Sequence, residues 1–317
     1  MTDNGKREVF CMRIMVLSGG ESAEREVSLR SGARVAAVLR EAGHEVEEID
    51  YTARAENENF FAKCRAADAV FLALHGGAGE DGRLQEKLER EGVRHYTGTG
   101  PHGSALAMHK SRAKAAVAAL GVPVARGFSW RAGAPAPAEL SRAAFPLVAK
   151  PEAGGSSVGL VVLHTPEEAE KFTPSGEYLC EEYLPGREFS VGILGARALP
   201  PVELIPVDAG LYDYAHKYTP GATEERCPAP LPAYRLAELQ DLALVAFEGL
   251  SLSDYARVDF KEDAAGRFCF LEANTLPGMT ETSLLPLAAR TAGISFSDLC
   301  GAMARAAAGK RAGTKSV

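Results

Sequence analysis

The sequence predicts an α/β fold in two or three domains, on three observations. Over roughly the first hundred residues, short apolar strand patterns alternate with helical ones and end in glycine-rich corners, which implies a parallel sheet. Beyond about residue 145, strand-like runs come in neighbouring pairs joined by short polar or glycine-rich loops. The length, 317 residues, exceeds that of one ordinary domain.

Residues 13–18, Arg-Ile-Met-Val-Leu-Ser, form a strand that runs into Gly19-Gly20. A helix starts near Ser22, with Val27, Leu29, Ala33, Ala36, Ala37 and Leu39 on its apolar face and Gly43 at its end. Strands follow at 45–50 and 68–74, the second leading into His75-Gly76-Gly77-Ala78-Gly79-Glu80-Asp81-Gly82. Ligands of parallel sheets gather at the carboxyl ends of strands, where both glycine corners lie. The first corner lacks the dinucleotide fingerprint and the lysine of a phosphate loop, and Glu24 and Glu26 follow it. Such carboxylates serve the helix dipole or hold a substrate ammonium group. His75 reads as a neutral loop histidine. Residues 83–91 form a charged surface helix, and 104–120 another, carrying His109, Lys110, Arg112 and Lys114. The first domain boundary falls near Pro101.

Residues 145–164 read as two strands flanking a Gly-Ser loop. Lys150 on the strand would counter phosphate charge while loop amides close over it, although a generic glycine hairpin fits the same spacing. The lysine precedes the glycines, so this is no Walker loop. Residues 178–191 are two strand-like runs joined by Pro185-Gly186, in which Glu181 and Glu188 would hold ribose or are surface charges. Periodicity is lost over 208–228, where three tyrosines and Lys217 favour a lid over disorder. A helix over 235–250 follows, and after Ser283 one helical pattern leads to a tail, 309–317, expected to fray.

Between them lies a hairpin with charge inside. Arg257 and Asp259 lie two apart, as do Glu272 and Asn274, so each pair shares a strand face. With the turn at 262–266, Asp259 comes opposite Glu272 and Arg257 opposite Asn274. Facing carboxylates need a positive partner. Their hard oxygens suit Mg²⁺, and hence a phosphate-bearing substrate; alternatively Arg257 neutralises Asp259 in a plain salt bridge.

The net charge is -7 with dispersed basic residues, which argues against a nucleic-acid or anionic-membrane surface. The longest apolar run, 66–74, is too short to span a bilayer, and the amino terminus lacks a signal-peptide pattern. Six scattered cysteines read as reduced thiols of a cytoplasmic protein.

Five motifs occur in order: Gly19-Gly20-Glu21-Ser22-Ala23-Glu24-Arg25-Glu26-Val27-Ser28; Leu74-His75-Gly76 with Gly79-Glu80-Asp81-Gly82; Lys150-Pro151 with Gly155-Ser156-Ser157-Val158-Gly159; Tyr212-Asp213-Tyr214 with Lys217-Tyr218; and Glu272-Ala273-Asn274-Thr275 with Pro277-Gly278-Met279-Thr280. Together they resemble the D-alanine:D-alanine ligase family of the ATP-grasp superfamily, over about residues 13–300. The resemblance implies an amino-terminal parallel-sheet domain (1–101) and two α+β units (102–195 and 196–317) that clamp ATP. It implies that a carboxylate oxygen of one D-alanine attacks the γ-phosphate, and that the amine of a second D-alanine displaces phosphate from the acyl phosphate. Two Mg²⁺, replaceable by Mn²⁺, would be held by Asp259, Glu272 and Asn274. Lys110, Lys150, Ser157 and Lys217 would hold phosphates, Glu182 and Leu184 adenine, and Glu181 and Glu188 the rest of the nucleoside. Arg257 and the Gly278 amide would stabilise the transition states. Glu24 would bind the first ammonium group and, with Ser156 and Tyr218, pin the lid; His75 and Ser283 would lie by substrate carboxylates. A homodimer is implied, and a D-alanine:D-lactate or D-alanine:D-serine ligase is the alternative. Leu276, Thr282 and the Gly-Gly-Ala-Gly loop depart from the commoner family pattern, which bears on the shape of the second substrate site.

Overall fold

The computed structural model describes residues 11–155, 158–207 and 221–313. Ser156, Ser157, Lys217, Tyr218 and most of the expected lid lie outside the described residues.

Three sheets carry the fold. In the first, β1 (Arg13–Gly19), β2 (Glu45–Tyr51) and β3 (Ala69–Leu72) run parallel in the order β2-β1-β3. The central strand β1 is buried from Ile14 onward, as a parallel strand covered on both faces requires. Edge strand β2 instead turns Glu45, Glu47 and Glu48 to solvent. Helix α1 (Arg25–Glu41) lies on β1, and Gly32 permits the close approach: a Cβ there would fall 2.4 Å from the Ser18 Cβ. Helix α2 (Glu58–Ala66) is capped by the Asn57 side chain, which accepts from the Phe60 N–H. Helix α3 (Arg83–Arg90), expected on the surface, buries Leu84, Gln85 and Leu88 along one face.

The single helix expected over 104–120 is two. Helix α4 (Pro101–Met108) and helix α5 (Lys110–Ala118) break at His109, whose extended backbone (φ -87°, ψ 102°) starts α5 afresh. Local propensity is helical throughout; the cause is remote, because the Glu152 carboxylate accepts from the Ser111 N–H and so caps α5.

The second sheet is antiparallel, in the order β4-β7-β5-β6: β4 (Gly127–Arg131), β5 (Leu147–Pro151), β6 (Val161–Leu163) and β7 (Glu177–Glu182), with the short helix α6 (Pro166–Lys171) between β6 and β7. The third sheet runs β11-β10-β8-β12-β13, with β9 beside β8. Its strands are β8 (Glu188–Leu194), β9 (Arg197–Ala198), β10 (Val202–Pro206), β11 (Thr223–Arg226), β12 (Tyr255–Glu262) and β13 (Phe268–Asn274). Helix α7 (Ala233–Gly249) packs beside it, burying Leu239, Ala243, Ala246 and Phe247 in the core of that sheet.

The two runs around Pro185-Gly186 therefore do not pair. Strand β7 ends in the second sheet and β8 begins in the third, and residue 195, where a domain division was expected, falls inside the third sheet. Gly186 makes the crossing possible, since its N–H donates to the Glu262 carbonyl at 3.0 Å and a Cβ would fall 2.6 Å from that of Glu262.

After the hairpin the chain returns to the first sheet. Helices α8 (Leu284–Thr291) and α9 (Phe296–Gly313) replace the one helical pattern expected there, and α9 continues through most of the tail expected to fray. They are held because Leu284, Leu285, Leu299, Cys300 and Met303 are buried in one core with Val16, Leu17, Phe71 and Leu72. No described helix is long and apolar enough to cross a membrane. Cys64, Cys180, Cys269 and Cys300 are buried, Cys227 half-buried and Cys11 exposed, all as free thiols.

Candidate active site

The hairpin β12-β13 forms in the expected register: Arg257 lies opposite Asn274 and Asp259 opposite Glu272, with an irregularity only after Asp259. Asp259 is 6% exposed and is surrounded by donors. Arg257 donates from Nε to Oδ1 at 3.0 Å and from Nη2 to Oδ2 at 2.9 Å; Ser190 Oγ donates to Oδ1 at 2.7 Å and Asn274 Nδ2 to Oδ2 at 3.1 Å. The salt bridge offered as one reading is thus present. No set of three His, Cys, Asp or Glu side chains stands ready for a metal among the described residues. Two carboxylates and an amide oxygen nonetheless remain a donor set of the hard, oxygen-only kind that suits Mg²⁺.

Beside the hairpin, an open cleft lies between the second and third sheets. Lys110, Lys150, Glu181, Glu182, Leu184, Glu188, Asp259 and Glu272, all singled out from the sequence, line it. Ala125, Val148, Leu160 and Leu271 give it an apolar wall. Lys110 donates from Nζ to the Gly154 carbonyl at 2.6 Å and stands 3.9 Å from Glu272. Glu188 pairs with Lys261 at 2.9 Å.

Glu181, expected beside the nucleoside, lines the cleft with a lysine on each carboxylate oxygen. It is 2% exposed, with Lys150 Nζ 2.6 Å from Oε2 and Lys114 Nζ 2.7 Å from Oε1. Burial by itself would raise the carboxyl, but the two lysines outweigh it and hold Glu181 below the usual range. Burial likewise opposes the Lys150 charge, and the attraction of Glu181, then of Glu272 and Glu188, overcomes it, so the ammonium is held above its ordinary value. For Lys114 burial prevails and lowers it. Glu181 therefore acts on the cleft by holding Lys150. Glu182 has its N–H engaged with the Arg126 carbonyl at 2.9 Å, and its side chain accepts from the Arg126 N–H.

The expected substrate residues gather at the far end, where the first sheet meets the loop after β13. His75 is 6% exposed; Nδ1 lies 3.0 Å from the Leu276 carbonyl and Nε2 3.0 Å from Ser31 Oγ. That pairing fits a neutral ring donating from Nδ1 and accepting from Ser31, and burial lowers its pKa further. Glu24 stands at the start of α1, close to both loops: its Oε2 would lie 2.9 Å from a Cβ on Gly76 and 3.6 Å from one on Gly155. Ser283 begins α8 and accepts from the Thr280 N–H at 3.0 Å, while a Cβ on Gly278 would meet its Oγ at 2.7 Å.

Three functional candidates escaped the sequence reading: Lys114, Lys261 and Glu80. Lys114 carried a signal, standing four residues after Lys110 and so on the same helix face. Lys261 lies two residues beyond Asp259 on one strand, but only the neighbour strand shows its partner, Glu188. Half-buried Glu80 accepts from the Gly76 N–H at 2.8 Å and joins Lys110, Glu272 and Asn274 around a smaller pocket. Burial, then the nearby charge of Glu24, pushes its carboxyl up to about 8.

The profile of the family described as D-ala D-ala ligase C-terminus matches residues 126–304. A D-alanine–D-alanine ligase of Oleidesulfovibrio alaskensis is 43% identical over 92% of this chain and 94% of its own length; that of Aquifex aeolicus is 41% identical over 91% and 98%. Among solved structures, the Bacillus anthracis D-alanine–D-alanine ligase complexed with ATP superposes with a TM-score of 0.81 at 29% identity, covering 96% of this chain and all of that one. The VanG D-Ala:D-Ser ligase of Enterococcus faecalis gives 0.75 at 25% identity, over 94% and 99%. These likenesses bear out the ATP-grasp architecture, and the chain belongs to the D-alanine–D-alanine ligase family.

Proposed function

We propose that this protein joins two molecules of D-alanine at the expense of ATP, releasing ADP and phosphate and supplying the dipeptide used in peptidoglycan precursors. The observation that carries the reading is the cleft between the second and third sheets. Two lysines, an apolar wall and a paired carboxylate edge converge there in a chain about 40% identical to ligases of this activity. In this reading the apolar wall takes adenine, Glu188 the ribose, and Lys110 and Lys150 the phosphates. Asp259, Glu272 and Asn274 would hold two Mg²⁺, or Mn²⁺ in their place. When bound, such ions neutralise phosphate charge that would otherwise repel an attacking carboxylate. Glu24 receives the ammonium group of the first D-alanine, and Ser283 and His75 border the amino-acid site. Arg257 and the Gly278 amide stabilise charge on the transferring phosphate and on the tetrahedral carbon's oxygen. The assembly is proposed to be a homodimer, which light scattering of the purified protein tests directly.

The decisive assay mixes protein, ATP and Mg²⁺ with D-alanine, L-alanine, D-serine or D-lactate, reads phosphate release, and identifies products by mass. Phosphate release and D-alanyl-D-alanine from D-alanine alone are expected. No product from D-alanine alone would overturn the proposal, and mixed products with D-serine or D-lactate in preference would move it to those acceptors.

A further inference from the structure

Glu152, two residues past Lys150, plays no part in the family motifs or in the proposed chemistry beyond its cap on α5. It is 7% exposed, an unusual place for a carboxylate. Its main chain extends β5, with the N–H donating to the Glu177 carbonyl at 2.8 Å and the carbonyl accepting from the Lys110 N–H at 3.1 Å. Its side chain reaches back to the break between α4 and α5. There Oε1 accepts from both the Ser111 N–H at 2.8 Å and Ser111 Oγ at 2.5 Å, with His109 Nδ1 at 3.8 Å. The other oxygen, Oε2, is buried without a hydrogen-bond partner among the described residues. Two residues further on, the Gly154 carbonyl accepts from Lys110 Nζ, and the Gly154 N–H donates to Met108 Sδ at 3.4 Å.

Apart from the bond to Glu177, which keeps β5 in its sheet, every one of these bonds joins the same two segments. One is residues 108–111, where a new helix has to start; the other is residues 152–154, the continuation of the strand that carries Lys150. Lys110 and Lys150 both line the cleft, yet they reside on elements forty residues apart in sequence. A buried carboxylate is costly unless hydrogen bonds hold it, and those that hold Glu152 come from the start of α5. A single acceptor oxygen that takes both the Ser111 N–H and the Ser111 hydroxyl fixes the helix start rigidly against the strand.

We infer that Glu152 is a positioning residue of the nucleotide site. By capping α5 across the gap, it sets Lys110 against Lys150 so that the two ammonium groups meet the phosphates together. This rests on the reading of the cleft as the ATP site, and the test separates the two.

Full-length wild type, Glu152→Ala, Glu152→Gln, Ser111→Ala and the Glu152→Ala/Ser111→Ala double variant are compared in turnover with ATP and D-alanine, and in direct calorimetric binding of ATP with Mg²⁺. Glu152→Ala should raise the KM and Kd for ATP about tenfold while the KM for D-alanine moves less than about twofold. Glu152→Gln keeps an oxygen at the Oε1 position and should restore ATP affinity to within about twofold of wild type. Ser111→Ala should weaken ATP binding less than Glu152→Ala does, and the double variant should add little to Glu152→Ala, since both break one tie. An unchanged ATP affinity in Glu152→Ala overturns the inference. So does a fall in kcat alone with a lowered unfolding midpoint, which is the signature of a merely structural residue. A Gln variant as impaired as Ala overturns it as well, because the lost charge would then be the cause. Wild type that binds ATP without ligating D-alanine refutes the proposed reaction and leaves this test standing on the calorimetry; wild type that binds no ATP removes both.

Discussion

Glu181 has a lysine on each carboxylate oxygen and is almost fully buried, so breaking one of its pairs costs more than the intact pair contributes. Replacing Lys114 by Met leaves a buried carboxylate with one cation and should cost about 3 to 5 kcal/mol, read as a lowered urea midpoint. Adding Glu181→Gln to Lys114→Met should recover part of that loss, because the orphaned charge goes with it; a double variant weaker than the sum of both changes would refute the pairing. Glu272→Gln keeps the shape of the strand and removes one of two facing carboxylates, so turnover should fall by at least about 10³-fold with a stability change under about 1 kcal/mol. Glu80 supplies a pH test. Its folded pKa near 8 lies above the value of an unfolded carboxyl, so the folded state binds the proton more tightly and stability falls as pH rises from about 4.5 to 8. Glu80→Gln removes that dependence. Relative to wild type the variant should gain on the order of 2 kcal/mol between pH 5.5 and pH 8 in urea unfolding, a figure discounted for the residue's partial exposure. A constant difference across that range would reject the assignment.

At the scale of elements, the sequence disclosed most where a pattern is local. Alternation together with a turn at 262–266 placed Arg257 opposite Asn274 and Asp259 opposite Glu272, a register that keeps Val258, Phe260 and Ala273 buried. Short strand patterns located β1 and β2 to within a residue. Local pattern was silent about the break at His109, because residues on both sides favour helix and the interruption comes from a carboxylate more than forty positions away. It also could not tell that the runs flanking Pro185-Gly186 join different sheets, since a Pro-Gly turn serves a crossing as well as a hairpin. The contact of α1 with β1 offers a test at this scale. Gly32→Ala gains about 1 kcal/mol of helix propensity, yet its methyl would meet the Ser18 side chain far inside contact distance. A net loss of about 1 to 3 kcal/mol in unfolding free energy is expected; a more stable variant would mean that α1 shifts freely on the sheet.

Across the whole molecule, the two terminal helices are as much part of the first sheet's core as its own strands are. Leu299, Cys300 and Met303 of α9 are buried in one cluster with Val16, Leu17 and Phe71. The loop that leads to them brings the Leu276 carbonyl to His75 Nδ1, so the proposed amino-acid end of the site joins residues 201 positions apart. A chain ending at residue 295 should therefore lose soluble folded protein and not merely activity, which a proteolysis time course of the truncated and full-length chains would show. The arrangement also governs the order of events during synthesis. The strands of the first sheet are made long before α8 and α9, so the surface that these helices cover stays bare until residues 284–313 have emerged. Translation thus leaves the first sheet incompletely closed until α8 and α9 have been made and can cover it.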